Sequence, residues 1–242
     1  MIKLVSKMVG VNSFERFSGE QLVIAKARIS SNRPPERILD KGEGLIRHML
    51  ANGHWSPFDM AVLGFEIECS VAISIQLLRH WSFKVQQFSQ RYAEVTEAMP
   101  VKMRQAGSSN RQSSTIPSGI NEQVLSQESI YESLAHYQEL LDAGVATETA
   151  RFVLPMATKS RLYYNGTFRS IITFLNQRLS EDAQKEVRVI AEGMRDIFIQ
   201  EAPIISKALN NFKGADKIPI LDQVVVMNNL DKIEQIKALW NE

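Results

Sequence analysis

Between Gln76 and Tyr92 the chain packs two arginines, one lysine, one histidine, four glutamines and two serines among apolar residues. Cations of long reach, hydroxyls and amides in one short stretch are the donors a phosphate-bearing ligand needs. Guanidinium groups give paired charge-assisted bonds, and amides add direction. A helix over Val71 to Trp81 would set Gln76, Arg79 and His80 at i, i+3 and i+4 on one face. The same composition suits a solvated basic helix with an aromatic edge, and the stretch alone does not decide between the two. A second group of cations follows at Arg151, Arg161, Arg169 and Arg178. Arg151 lies in the apolar run Ala150-Arg151-Phe152-Val153-Leu154, where burial would demand a partner. Arg169 and Arg178 fall on one expected helix about two and a half turns apart, so they face different sides. They can serve two ligands or two subunits, or simply snorkel to solvent.

Composition limits what such clusters do. The chain has 242 residues, 44% hydrophobic and 23% charged, which is ordinary for a globular protein with a real core. Lys+Arg of 28 against Asp+Glu of 27 gives a net charge of +1. That balance argues against a long polyanion such as nucleic acid while leaving room for a local anion site. The single Cys69 cannot form an intrachain disulfide, so a reducing compartment is expected. No apolar run reaches membrane-spanning length and the N-terminus lacks a signal-peptide layout, which points to a soluble, cytoplasmic protein. No Gly-x-Gly-x-x-Gly follows a strand, and there is no Walker loop, His-Glu-x-x-His or Gly-x-Ser-x-Gly. Four scattered histidines and one cysteine make a metal site improbable.

The elements that must position these residues read as one α+β domain with no clear linker. Ile2 to Val11 reads as a strand. Ser18-Gly-Glu-Gln21 is a capping box ahead of a helix, and Asp40-Lys-Gly-Glu43 a second cap signal, with Gly53 suited to the left-handed stop. Ser30-Ser31-Asn32 and Pro34-Pro35 break the chain between those helices. Ala61 to Cys69 alternates as a strand with Ala61, Leu63, Phe65, Ile67 and Cys69 on the core face. That parity makes Cys69 a buried structural thiol rather than a nucleophile. Thr96 to Ser118 is either a lid carrying Arg104 and Arg111 or a plain exposed loop. A long helix spans Asn121 to Ala143 with His136 on its surface, and Thr147 caps a short one. Lys159 to Thr167 is strand-like. Asn165-Gly166 is either a hairpin turn or the passage into a helix over Phe168 to Leu179 capped near Thr167. Ser180 caps the next helix, which Pro203 ends, and Ile204 to Asn211 is helical. A strand-like piece (Ile218 to Met227) and an amphipathic helix (Leu230 to Trp240) complete a tail from about 213.

Arg79-His80-Trp81, then seven residues, then Ser89-Gln90-Arg91-Tyr92 resembles the signature of the flavin-dependent thymidylate synthases. Four further blocks occur in that family's order. They are Gly53-His54-Trp55-Ser56-Pro57-Phe58, Ala150-Arg151-Phe152-Val153-Leu154-Pro155, Phe168-Arg169-Ser170 with Phe174-Leu175-Asn176-Gln177-Arg178, and Ala183-Gln184-x-Glu186. Ala27-Arg28-Ile29-Ser30 resembles the end of its first helix. The resemblance implies an α+β fold with a small, mainly antiparallel sheet packed by several helices, and a homotetramer with shared active sites. It implies FAD as cofactor, with NADPH and 5,10-methylenetetrahydrofolate as co-substrates in converting dUMP to dTMP. On that resemblance dUMP falls to Gln76, Arg79, Gln87, Phe88, Ser89, Gln90, Arg91, Arg151 and Arg178, with Arg178 and Ser89 as the catalytic candidates. FAD falls to His54, Ser56, Asp59, Arg79, His80, Trp81, Ser82, Thr167, Arg169 and Thr173. Arg178 would stabilise charge as the pyrimidine C5 becomes nucleophilic. Departures are concentrated at the flavin: Trp81 replaces an arginine, Thr167 and Thr173 stand where asparagine is usual, and Asp182 where histidine is frequent. A diverged flavoenzyme on another pyrimidine nucleotide, or a non-catalytic nucleotide-binding homologue, are the alternatives.

Overall fold

The computed structural model describes residues 1–29, 31, 33–34, 37–108 and 114–210. Arg111, the expected Ser30-to-Pro35 break in part, and the strand and helix expected beyond 211 lie outside those residues. By its contacts the chain divides into two compact units. One holds residues 1–3, 66–164 and 184–187, and the other holds 4–65, 165–183 and the chain from 188 onward.

Strands β1 (Ile2–Lys7), β2 (Val62–Ser70), β6 (Lys159–Thr167) and β3 (Lys84–Gln87) form a four-stranded sheet in the order β1-β2-β6-β3. Its hydrogen bonds pair Met8 with Val62 and Met1 with Glu68, Ala61 with Phe168 and Thr158 with Val71, so neighbouring strands run antiparallel. The expected parity holds along β2. Ala61, Leu63, Phe65, Ile67 and Cys69 are all buried while Val62, Glu66 and Glu68 are partly exposed. The expected first strand, by contrast, stops at Lys7.

In the first unit α3 (Val71–Leu78) follows β2, with Ser70 capping it through the Ile73 N–H at 3.4 Å. Here the expectation of a helix to Trp81 is corrected. The last helical residue is Leu78, and Arg79 is the C-cap. The Leu77 carbonyl accepts both the His80 N–H (3.0 Å) and the buried Tyr164 hydroxyl (3.0 Å), which closes the helix end. The segment expected to be an open lid or loop instead contains a hairpin, β4 (Arg104–Ala106) with β5 (Ser114–Pro117). α4 (Ile120–Asp142) and α5 (Thr147–Ala150) follow, the latter capped by Ala146 with Thr147 as its first residue. Val95, Tyr137 and Ala150 make a small core of their own, against which Phe88, Leu134, Leu141 and Leu154 pack.

In the second unit the Ser18 capping box opens α1 (Gly19–Ala27), with both reciprocal bonds present. α2 (Gly42–Ala51) starts differently from expectation. Lys41 is its N-cap in the left-handed region, and Asp40 is drawn to Arg37 at 2.8 Å instead. Gly53 takes φ +66° just past the end of α2, as a left-handed stop requires. A 3-10 turn (Ser56–Met60) precedes β2, and β6 runs directly into α6 (Phe168–Arg178), so Asn165-Gly166 is not a hairpin turn. Ser180 does not cap the next helix, because its hydroxyl accepts the Asp182 N–H (3.3 Å) and α7 (Lys185–Glu201) begins later. α8 (Pro203–Ala208) starts on Pro203 and is tied back by Glu20, whose carboxylate accepts the Ile205 N–H at 2.7 Å. Phe168 and Phe198 meet edge to face at 5.1 Å in this unit's core. Among the described residues no helix is long and apolar enough to cross a membrane.

Candidate active site

In the first unit the small core built on Val95, Tyr137 and Ala150 brings two distant pieces of chain together. Phe88 packs onto it from one side, and its N–H is held by the Arg161 carbonyl at 2.8 Å. Ala150 is part of the core itself, so the residues after each, Ser89 to Arg91 and Arg151, are delivered to one place. They meet at Glu148. Its carboxylate accepts a bond from Arg91 Nη2 at 3.1 Å, and its main-chain carbonyl accepts from Arg151 Nε at 3.1 Å. Ser89 Oγ accepts the Arg91 N–H at 3.4 Å. Each arginine also lies over the aromatic ring that follows it, Arg91 at 5.7 Å from Tyr92 and Arg151 at 5.9 Å from Phe152. Two guanidinium groups and a hydroxyl are thereby gathered at the surface, with one exposed carboxylate on Arg91. Glu148 was not among the expected site residues. An isolated acid in a short helix carries no motif, and only its two arginine partners mark it.

Gln87 faces the interior of the same unit, where its Nε2 donates to Ser74 Oγ (3.0 Å) and Ser160 Oγ (2.9 Å). Gln76, on the last turn of α3, donates to Gln184 Oε1 at 2.5 Å. Arg79 is exposed at the helix end, His80, Ser82 and Gln90 are half-buried, and Trp81 is 88% exposed in the turn after α3. The stacked pair Phe83 and Tyr164, 4.1 Å apart, anchors that turn from below. A cavity of about 240 Å³ next to the core of Val95, Tyr137 and Ala150 is lined by Phe88, Val95, Glu94, Glu97, Lys159 and Arg161 among others. Its lysine is already paired with Glu97 (2.8 Å) and Glu68 (3.6 Å), which makes it a poor anion site.

The second unit assembles another part of the expected set around the start of α6. Thr167 is the N-cap, its Oγ1 accepting the Ser170 N–H at 3.1 Å while donating to Asp59 Oδ1 at 2.9 Å. Arg169 Nη1 reaches the other oxygen of Asp59 at 3.2 Å. Asp59 sits in the 3-10 turn that Ser56 opens, so one carboxylate locks that turn to the helix. Threonine at 167 keeps the capping role that asparagine also performs, which makes this departure chemically mild. His54 is exposed and meets His48 edge to face at 5.7 Å. Thr173 is half-buried on α6. Arg178, half-buried, is the last residue of that helix, on the side opposite Arg169 and roughly 13 Å along the axis. Asp182 is exposed in the turn beyond it.

Cys69 is buried in β2, and burial pushes its thiol up to about 12. It stays protonated at neutral pH, so it offers no nucleophile.

Residues 14–204 match the family described as thymidylate synthase complementing protein. A relative from Paramecium bursaria Chlorella virus 1, named probable flavin-dependent thymidylate synthase, is 38% identical over 83% of this chain and 93% of its own. The chain belongs to the flavin-dependent thymidylate synthase family. A second member, the flavin-dependent thymidylate synthase of Synechocystis, is 36% identical over 81% of this chain and 91% of its own. Among solved structures, the UMP/dUMP methylase PolB of Streptomyces cacaoi bound with 5-Br dUMP superposes with a TM-score of 0.73 at 26% identity. It covers 87% of this chain and 94% of that one. The same methylase bound with 5-Br UMP gives 0.74 at 27% identity. As in this α+β family, the strands here form a small antiparallel sheet packed by helices. The family match runs through residues of both compact units, and the matched span takes in every expected site residue.

Within the second unit Arg169 and Ser56 offer a guanidinium and a hydroxyl, and within the first Arg79 and Ser82 offer the same pair of donor types, the kinds of group that bind a phosphate oxygen. Trp81 contributes a ring able to stack on a planar heterocycle but no charge.

Proposed function

We propose that this protein is a flavin-dependent thymidylate synthase, converting dUMP to dTMP with 5,10-methylenetetrahydrofolate as carbon donor and NADPH as reductant. The observation that carries the reading is the meeting of Arg91, Arg151 and Ser89 beside Glu148, held there by a dedicated core. A nucleotide monophosphate is close to a dianion at neutral pH, and two guanidinium groups with a hydroxyl match it. Phosphate then displaces Glu148 from Arg91, an exchange that costs little because both side chains of the pair are 53% exposed.

The remaining residues divide as the family pattern implies. Gln76, Arg79, Gln87, Phe88 and Gln90 would line the nucleotide with the phosphate group above, and Arg178 would face the pyrimidine oxygens. There a fixed cation stabilises the negative charge that develops as C5 becomes nucleophilic. His54, Ser56, Asp59, Thr167, Arg169 and Thr173, with Arg79, His80, Trp81 and Ser82, would hold FAD. Thr167 and Asp59 act by orienting Arg169, and Trp81 by stacking. FAD, when bound, supplies the hydride chemistry, and the chain contributes binding, orientation and electrostatics. No enzyme thiol is needed, in keeping with the buried, protonated Cys69. The chain would act as one catalytic domain in the cytoplasm, assembled as a homotetramer whose active sites draw residues from more than one copy.

Methylation of a ribonucleotide is a second reading, favoured by the likeness to a methylase whose structures hold both 5-Br UMP and 5-Br dUMP. Turnover with each nucleotide, in the presence of FAD, NADPH and methylenetetrahydrofolate, separates the two. The first reading expects dTMP from dUMP at a rate well above any product from UMP. Faster turnover of UMP supports the second, and flavin reduction with neither product removes both.

A further inference from the structure

A chain of side-chain bonds in the first unit begins on the β4–β5 hairpin and ends on Gln76. Arg104 holds Glu186 with both terminal nitrogens, Nη1 to Oε1 at 2.6 Å and Nη2 to Oε2 at 2.9 Å, and its Nε donates to Ser114 Oγ at 2.8 Å. Gln184 Nε2 donates to Glu186 Oε2 at 2.9 Å, and Gln76 Nε2 donates to Gln184 Oε1. The Arg104 side chain is only 14% exposed and Glu186 37%, so the arginine end of this pair is sheltered, whereas both partners of Arg91–Glu148 are 53% exposed.

We propose that Arg104, Glu186 and Gln184 are a positioning relay that fixes which end of the Gln76 amide meets the nucleotide, and ties the hairpin to that recognition. The proposal rests on Gln76 being a nucleotide contact. A carboxylate can only accept hydrogen bonds. Gln184 must therefore turn its NH2 to Glu186, which turns its carbonyl to Gln76. Gln76 must answer with its own NH2. Gln76 then presents Oε1 as an acceptor at a fixed place beside the one N–H that Nε2 has left, so the relay fixes where a ligand donor must sit to meet Oε1: the imide N–H of the pyrimidine ring or a sugar hydroxyl. Burial works against the charge on Glu186, but the bonds from Arg104 and Gln184 outweigh it and hold the carboxyl below its usual range. The direction of the relay is thus constant through neutral pH.

The reversal of polarity gives the test. Gln76→Glu sets an acceptor against the Gln184 carbonyl, whereas Gln76→Glu with Glu186→Gln lets the Gln184 amide turn around, at the loss of one of the two bonds from Arg104. Dissociation constants of the full-length protein are measured for dUMP, its N3-methyl derivative and its 3′-deoxy derivative. Wild type should discriminate against one of the two analogues by roughly tenfold, about the worth of one oriented hydrogen bond, and which one identifies the donor. Glu186→Gln should lose most of that discrimination. Gln76→Glu should weaken dUMP binding by roughly tenfold, and the double variant should recover part of it, a non-additive effect. Additive losses in the double variant, or undiminished discrimination in Glu186→Gln, overturn the relay. A wild type that binds no dUMP overturns the functional reading instead, and the relay is then judged on the ligand-free protein. There Gln76→Glu should speed amide exchange in Arg104–Ala106, because a reversed Gln184 turns its carbonyl on Glu186. Unchanged exchange rejects the relay.

Discussion

Thr167 carries more of the joint between the 3-10 turn and α6 than its size suggests, and replacing it with alanine isolates that contribution. The hydroxyl does two jobs at once, accepting the Ser170 N–H as the α6 N-cap and donating to Asp59. Losing an N-cap costs about 1 kcal/mol. The bond to a carboxylate adds about 1 kcal/mol, the worth of an ordinary hydrogen bond rather than a fully charge-assisted one, because the Asp59 side chain is 36% exposed. Thr167→Ala should therefore cost about 2 kcal/mol, which for a chain of this size lowers Tm by about 4–8 °C. Thr167→Ser keeps the oxygen and should stay within about 0.5 kcal/mol of wild type. Denaturant unfolding of all three proteins at equal concentration measures the differences as shifts in midpoint at constant slope. If alanine proves no worse than serine, the hydroxyl is not the joint between the 3-10 turn and α6, and the reasoning fails.

Three further outcomes are expected. Tyr137 is fully buried and its hydroxyl has no hydrogen-bond partner among the described residues, so Tyr137→Phe should stabilise by about 1 kcal/mol; a thermal midpoint that falls would show the hydroxyl to be satisfied. Burial raises the Glu20 carboxyl despite bonds from the Ile205 and Ile204 N–H groups. A raised acid contributes stability that is complete below its unfolded value, about 4.3, and lost as pH rises through the folded one. Glu20→Gln should thus be at least as stable as wild type at pH 8, with the advantage shrinking toward pH 4, and a deficit at pH 8 would reverse the sign assigned to that burial. Cys69→Ser should keep turnover within a few-fold, and native protein should resist thiol alkylation at pH 8, because the thiol is held up to about 12; its share of stability disappears only between the unfolded value and about pH 12. A folded but inactive serine variant would point to thiol chemistry after all.

Much of the scaffold was legible because its signals are local. The β2 parity follows from strict alternation, the Ser18 box from two residues three apart, and the Gly53 stop from one glycine. The family blocks, being contiguous, made the family legible in the same way. What stayed hidden depends on partners distant in sequence. The expected helix runs to Trp81, but α3 ends at Leu78, where Tyr164 takes the Leu77 carbonyl from 87 residues away. The hairpin had no alternating face to betray it, since every residue of β5 is exposed. It is held by Arg104 to Glu186, 82 residues on. Glu20 belongs to a motif that explained only its neighbours Ser18 and Gln21, while its own role is to hold the start of α8. Glu148 shows the same limit at the site, because an acid between two arginines is visible only once the chain has folded.

We propose that this protein makes dTMP from dUMP through a bound flavin and a cation at Arg178, with no enzyme nucleophile. A single turnover tests it most directly: protein reduced anaerobically in the presence of FAD, mixed with dUMP and methylenetetrahydrofolate, and followed by flavin absorbance and product analysis. Wild type and Cys69→Ser should reoxidise their flavin and form dTMP in equal amounts, while Arg178→Ala should retain flavin and form none. Flavin that stays reduced in wild type, or dTMP that still appears with Arg178→Ala, would contradict the account.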